Sequence, residues 1–277
     1  LQEHHLVDTI KKAVTKRMLD SLKGLKKESF DKYKNFWNEY GLVLKEGPAE
    51  DRENKDTIAS LLLFASTYAN SKDCDQTLDD YLERMGNDQD KIYYCVADTY
   101  EAAANSPHIE GLKSKGIEVL LLTDRIDEWV MAGLMEYQGK EFINVAKEDI
   151  ADEDETKKVS EGDQEIISKI QKHLDEKVSD VIISKRLTDS ASCIVLPKHE
   201  PGAQLRKILE ASGQTLGSSN PIFEINMKHR LVKKLKDMKG KQFNSFVDFL
   251  YDYAVIAEGG SPQDPSKYLR QLDKYLS

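Results

Sequence analysis

The chain opens on helical periodicity. Ile10, Val14, Met18 and Leu22 recur at helical spacing, with lysines on the opposite face. Phe30, Tyr33, Phe36, Trp37 and Tyr40 predict a second amphipathic helix, with Gly41 placed to end it. A third helix is predicted from Lys55 to Thr67, and a mixed region begins over Leu78 to Met85. The pattern then changes. Lys91–Ala97 and Ile117–Leu122 are short apolar runs that read as strands. Between them lie short helices around Tyr100–Ala104 and Ile109–Lys115, and a helix over Arg125–Met135 follows. Strands alternating with helices predict βαβ units and a mostly parallel sheet.

Over Lys147–Gly162 the apolar content falls away while Glu148, Asp149, Asp152, Glu153, Asp154 and Glu155 accumulate. Such a stretch has too little to bury to fix itself. It is expected to link two domains, with the boundary near 150–160. Beyond it come a helix from Gln164 to Lys177 and strands at Asp180–Ser184 and Ser192–Leu196. A helix follows that starts at Pro201, carries Leu205, Ile208 and Leu209 as one stripe and stops at Gly213. A strand at Ile222–Ile225 and three further helices complete the chain, with Asp264 as N-cap and Pro265 at the first position of the last helix.

The penultimate helix carries an unusually wide apolar arc. Phe243, Phe246, Val247, Leu250, Ala254 and Ala257 form one stripe, and Phe249, Tyr253 and Ile256 another beside it. Its own domain can cover one side. The other side, with Tyr268, Leu269, Leu272, Tyr275 and Leu276 of the last helix, suits either a large monomeric core or a bundle with a second chain, and the bundle is the favoured reading.

Composition narrows the chemistry. At 277 residues, two domains are the prior. A net charge of −9 argues against a general binder of nucleic acid or anionic membrane. No apolar run approaches the roughly 20 residues of a membrane helix, and no leader peptide is evident. The three cysteines, Cys74, Cys95 and Cys193, are far apart and form no Cys-x-x-Cys pair, which suits a reducing cytoplasm, and Cys95 and Cys193, inside apolar strand-like runs, read as inert core thiols. No phosphate loop, dinucleotide fingerprint, Gly-x-Ser-x-Gly elbow or His-Glu-x-x-His zinc motif occurs, and the acidic run lacks the spacing and glycine of a calcium loop. Neither catalytic nor metal-binding residues are expected. Trp129 follows Asp127 and Glu128 and reads either as a contact for apolar, basic peptide or as a half-buried core residue.

Several stretches resemble the heat-shock protein 90 family of chaperones, its bacterial members above all. They are Phe36-Trp37-Asn38-Glu39-Tyr40-Gly41 running into Leu44-Lys45-Glu46-Gly47, then Leu62–Thr67, Lys91–Tyr94 and Ser106-Pro107-His108. The longest is Gly116–Trp129, and Arg186-Leu187-Thr188-Asp189 and Phe223-Glu224-Ile225-Asn226 follow in order. The chain departs from the family's pattern at Ala191 and at Met227–Arg230, where prolines are common.

The resemblance implies an α+β, multi-domain architecture. Residues 1–147 correspond to the later part of a middle domain, with a helical segment over 1–70 and a small α/β/α sandwich over 71–147. An acidic linker over 148–160 leads to a dimerisation domain over 161–277, whose final helix pair forms an intermolecular four-helix bundle. It further implies client contacts at Glu128, Trp129, Leu205, Ile208 and Leu209, and dimerisation through Phe246, Leu250, Tyr253, Ala254, Leu269, Leu272 and Leu276. The implied partners are unfolded or partly folded clients, a second copy of the chain and the bacterial 70-kDa heat-shock chaperone. ATP and magnesium would serve the full-length protein, with the nucleotide site and its arginine upstream of Leu1, so this stretch is expected to be no enzyme by itself. The rival reading is a free-standing α/β enzyme with an active site that no motif reveals.

Overall fold

The computed structural model describes residues 5–147, 160–197, 200, 202, 206, 209 and 220–276. They form two compact units, Leu1–Lys91 with Ile126–Phe142, and Ile92–Arg125 with Ile143–Ser277. Both mix helices with strands, so the chain is α+β. The acidic stretch expected to mark a domain boundary falls, over 148–159, outside the described residues.

In the first unit α1 (His5–Glu28) is followed, after Ser29 in extended conformation, by α2 (Phe30–Glu50). Gly41 was expected to end that helix, but α2 continues for nine more residues. A Cβ on Gly41 would lie 2.8 Å from the Trp37 ring, so this glycine makes room for a buried indole rather than breaking the helix. The predicted stripe of α1 also needs correction. Leu19 and Leu22 are buried, but Ile10, Val14 and Met18 face solvent. Burial on α1 begins only in its later turns.

The third predicted helix is cut short. α3 spans Lys55–Ala59, and the chain then extends into β1 (Phe64–Ser66). Leu61, Leu62, Leu63, Phe64 and Ala65 are all buried. A run buried on every side has no periodicity, so the residues themselves do not distinguish helix from strand. β1 pairs antiparallel with β2 (Ser71–Gln76). Over the region left as mixed, α4 (Leu78–Arg84) is fixed by a reciprocal cap. The Thr77 hydroxyl accepts from Asp80 N at 3.1 Å, and Thr77 N donates to the Asp80 carboxylate at 3.2 Å. The unit ends on α7 (Asp127–Gly133) and the hairpin of β5 (Glu136–Tyr137) with β6 (Lys140–Asn144). Its two-residue turn is Gln138-Gly139, at φ +48° and +76°, the mirror-image turn that matches strand twist.

The second unit holds the expected parallel pair, β3 (Lys91–Val96) beside β4 (Val119–Leu122), with Tyr93 opposite Val119. The short helices α5 (Tyr100–Ala104) and α6 (Glu110–Ser114) lie between them in sequence, α5 being capped by Thr99. After α8 (Glu161–Leu174), a three-stranded sheet runs in the order β7 (Asp180–Ile183), β9 (Ile222–Ile225), β8 (Ser192–Val195). β9 is parallel to β7 and antiparallel to β8. The core beneath it takes Ile166, Ile170 and Leu174 from α8 and Phe223 and Ile225 from β9. A single turn, α9 (Arg230–Lys233), precedes α10 (Gly240–Ala257) and α11 (Pro265–Leu276). Asp264 caps α11 as expected, accepting from Lys267 N at 2.9 Å.

Segments far apart in sequence are joined here by polar contacts. Arg186 donates to the Val145 carbonyl and lies 3.1 Å from Glu224, both side chains being buried. Asn226 Nδ2 donates to the Ser190 carbonyl at 3.1 Å. Glu110 receives the backbone N–H groups of Thr188, Asp189 and Ser190. Gly111 packs so close to this turn that a Cβ would meet the Arg186 carbonyl at 2.9 Å.

Candidate functional site

Trp129 sits on α7, which has seven residues and cannot persist alone in water. It is held against α2 at both ends. At its start the Asp127 carboxylate lies 2.7 Å from Lys45 Nζ, with the two side chains 1% and 4% exposed. At its end Gly133 fits so closely that a Cβ would be 2.9 Å from Ala49 Cα. Val130 and Met131 fill the core between these points, while Trp129 remains 41% exposed. The indole is therefore partly presented outward. Glu128 is buried, so the Glu128–Trp129 pair is split between interior and surface. Met135, just beyond α7, is also exposed.

Of the stripe expected over Pro201–Ser212, Leu205 and Ile208 lie outside the described residues. Leu209 is described as helical and half-buried. It belongs to the other unit from Trp129.

The residues expected at a dimer interface divide into two sets. Phe246, Leu250 and Ala254 are completely buried in the core of their own unit. The Ser192 hydroxyl donates to the Leu250 carbonyl at 2.9 Å, which ties β8 to the middle of α10. Tyr253 and Leu272 are half-buried against that same core. Leu269, at 58% exposure, and Ile256, at 41%, face solvent. The side chain of Leu276 lies outside the description. α11 lies along α10 through aromatic pairs, Phe249 stacked on Tyr268 at 5.5 Å and Phe246 edge-on to Tyr275 at 4.6 Å. Thus α11 covers much of the wide arc read from the sequence. Among the described residues of these two helices, the exposed large apolar side chains are Leu269 and Ile256.

Asp248 on α10 joins three helices, its oxygens lying 2.8 Å from His173 Nε2 of α8 and 2.8 Å from Lys267 Nζ of α11. Burial pushes its pKa up, but the hydrogen bonds from Lys267 and His173 outweigh that and hold the carboxyl below its ordinary value.

Burial pushes the Cys95 thiol up to about 12 and raises Cys193 as well, the Glu224 carboxylate adding to the latter. Neither thiol is a nucleophile at neutral pH. Among the described residues, no cluster of three or more His, Cys, Asp or Glu could hold a metal ion. Among them, too, no helix is long and apolar enough to cross a membrane.

Sequence reasoning missed Lys45 and Gly133. A signal for Lys45 was present: Trp37, Gly41, Lys45 and Pro48 lie on one buried face of α2, so a lysine interrupts an otherwise apolar stripe. A charge in that position needs a buried partner. Gly133 carried no comparable signal.

The family model described as "Hsp90 protein" matches residues 1–277. The chain is 45% identical over 288 residues to the chaperone protein HtpG of Aromatoleum aromaticum, covering 100% of this chain and 44% of that protein. It is 41% identical over 282 residues to the chaperone protein HtpG of Legionella pneumophila, covering 100% of this chain and 45% of that one. The chain thus spans less than half the length of these curated relatives. With the whole of its length matched, the chain belongs to the Hsp90 family of chaperones.

Proposed function

We propose that this chain is the client-binding and dimerising part of a chaperone that, at full length, works by ATP-driven conformational cycling. The observation that carries the reading is Trp129. A large aromatic stands 41% exposed on a helix whose neighbouring residues are buried and fixed, which is how a surface offers an anchor to apolar segments of incompletely folded proteins. Buried Glu128 precedes it in the same helix, and Leu205, Ile208 and Leu209 would supply a second apolar contact. Domains over 1–147 and 161–277, joined through 148–160, are part of the same reading. So are dimerisation through α10 and α11 in a four-helix bundle, cooperation with a 70-kDa heat-shock chaperone and action in the cytoplasm. ATP and magnesium would be handled outside this chain.

The test is Trp129→Ala in the intact chain, assayed for suppression of aggregation of a partly folded client. Losing one exposed anchor should weaken binding by about 1–3 kcal/mol, while circular dichroism stays unchanged because the ring is not core. Unchanged suppression would sink the reading. ATP turnover by this chain, abolished by a substitution within it, would favour the rival enzyme.

A further inference from the structure

We infer that Lys45 is a positioning residue for Trp129: through its buried ion pair with Asp127 it sets the direction in which the indole meets a client. This rests on the proposed client contact and adds to it a residue that itself touches no client. α7 is too short to define its own orientation. Its course is dictated by what it packs on, and that is α2. Lys45 Nζ and Asp127 Oδ1 are 2.7 Å apart with both side chains almost wholly excluded from water.

An ion pair taken out of water adds little net stability compared with apolar residues of the same volume. What it provides is direction, because two charges in a low dielectric tolerate little displacement. Asp127 is two residues before Trp129, about 200° round the helix axis at 100° per residue. An inward Asp127 therefore forces Trp129 outward. The close fit of Gly133 on Ala49 fixes the far end, and the Lys45 pair, beside the buried Glu128, Val130 and Met131, opposes rotation of α7 about its axis. Replacing the pair by apolar side chains should leave α7 in place and loosen its rotation.

The experiment uses Lys45→Met and the double variant Lys45→Met/Asp127→Leu, which removes both members of the pair and keeps the test open if the single variant unfolds. Each is labelled with fluorotryptophan. The chain has two tryptophans, and Trp37, which is buried, serves as an internal control. The client probe is a reduced, carboxymethylated globular protein, which stays unfolded. The expected result is at least a five-fold loss of client affinity, with the Trp129 fluorine resonance shifted or broadened and that of Trp37 unmoved. Adding Trp129→Ala to the double variant should cost no more than Trp129→Ala alone, since a mispositioned anchor has little left to lose. Affinity within two-fold of the parent in the folded double variant, beside a weakened Trp129→Ala, would overturn the role of Lys45 alone. Unchanged affinity in Trp129→Ala would overturn the client reading and this role with it.

Discussion

Ser190 gives Glu110 both its backbone N–H and its hydroxyl, so one carboxylate holds a residue 80 positions later in the chain by main chain and side chain together. Thr188 N and Asp189 N donate to the same carboxylate at 2.8 Å each. Three consecutive amides converging on an anion form a concave anion-binding turn, here filled from within the protein. Glu110→Ala leaves those amides without their acceptor. Hydrogen bonds to a charged group contribute about 1.5–3 kcal/mol each when buried. Glu110 is half-exposed and water replaces part of the loss, so the expected destabilisation is about 2 kcal/mol. Glu110→Gln keeps one oxygen and should cost about half as much. Urea unfolding followed by circular dichroism distinguishes the two, and equal stability of all three proteins would contradict this role.

Asp248 and Lys267 predict pH sensitivity at both extremes. Asp248 is held below its ordinary value near 3.8, so its contribution is present above that pH and is lost as pH falls through its folded-state value. Lys267 is raised above 10.5, first by its hydrogen bond to Asp248, so its contribution is present below 10.5 and is lost as pH rises through the higher folded value. Asp248→Asn should flatten both limbs. Melting temperature measured from pH 2.5 to 11 should show parent and variant converging at the two ends and most separated between about pH 5 and 9. A constant separation down to pH 2.5 would contradict the acid limb.

Gly41→Ala tests packing inside α2. Helix propensity alone favours alanine by about 1 kcal/mol. Against that, the new methyl carbon would lie 2.8–3.1 Å from three atoms of the Trp37 ring, and overpacking typically costs about 1–3 kcal/mol. The clash should win, since Trp37 is buried. A variant as stable as the parent would show that the indole can shift.

The same glycine shows where the sequence was readable and where it was not. Read locally, Gly41 is a helix stop, because C-terminal glycines are common. Its packing role depends on a ring four residues away, which a one-dimensional pattern does not weigh. Leu61–Ala65 failed for the opposite reason: complete burial erased the periodicity by which helix and strand differ. Where a cap was chemically explicit, as at Asp264-Pro265, or a short apolar run was bounded by polar and turn residues, as at Lys91–Val96 and Ile222–Ile225, element type and place were legible. The Trp129 surface was legible only as an alternative, because exposure is a tertiary property. The dimer residues were read from apolar character, which does not distinguish a core position such as Leu250 from an outward one such as Leu269.

That distinction gives a paired prediction. Leu250→Glu puts a carboxylate into a fully buried site and should cost at least 3 kcal/mol, mostly as uncompensated desolvation, with loss of helical signal. Leu269→Glu lies on exposed α11 surface and should leave the fold intact. If α10 and α11 form the proposed bundle, it should weaken self-association more than 10-fold in sedimentation, because two-fold symmetry counts each substitution twice. A parent that is monomeric at high micromolar concentration would rule the bundle out.

The strand order β7-β9-β8 has a consequence for how the chain is made. The central strand is the last of the three to be synthesised: Asp180 finds Ile222, and Val195 finds the same residue from the other side. During N-to-C synthesis at about 5–20 residues per second, β7 and β8 leave the ribosome with no neighbour to pair with. They wait, as two unpaired apolar strands, for the segment that closes the sheet between them. Any slowing of synthesis before Ile225 lengthens that wait.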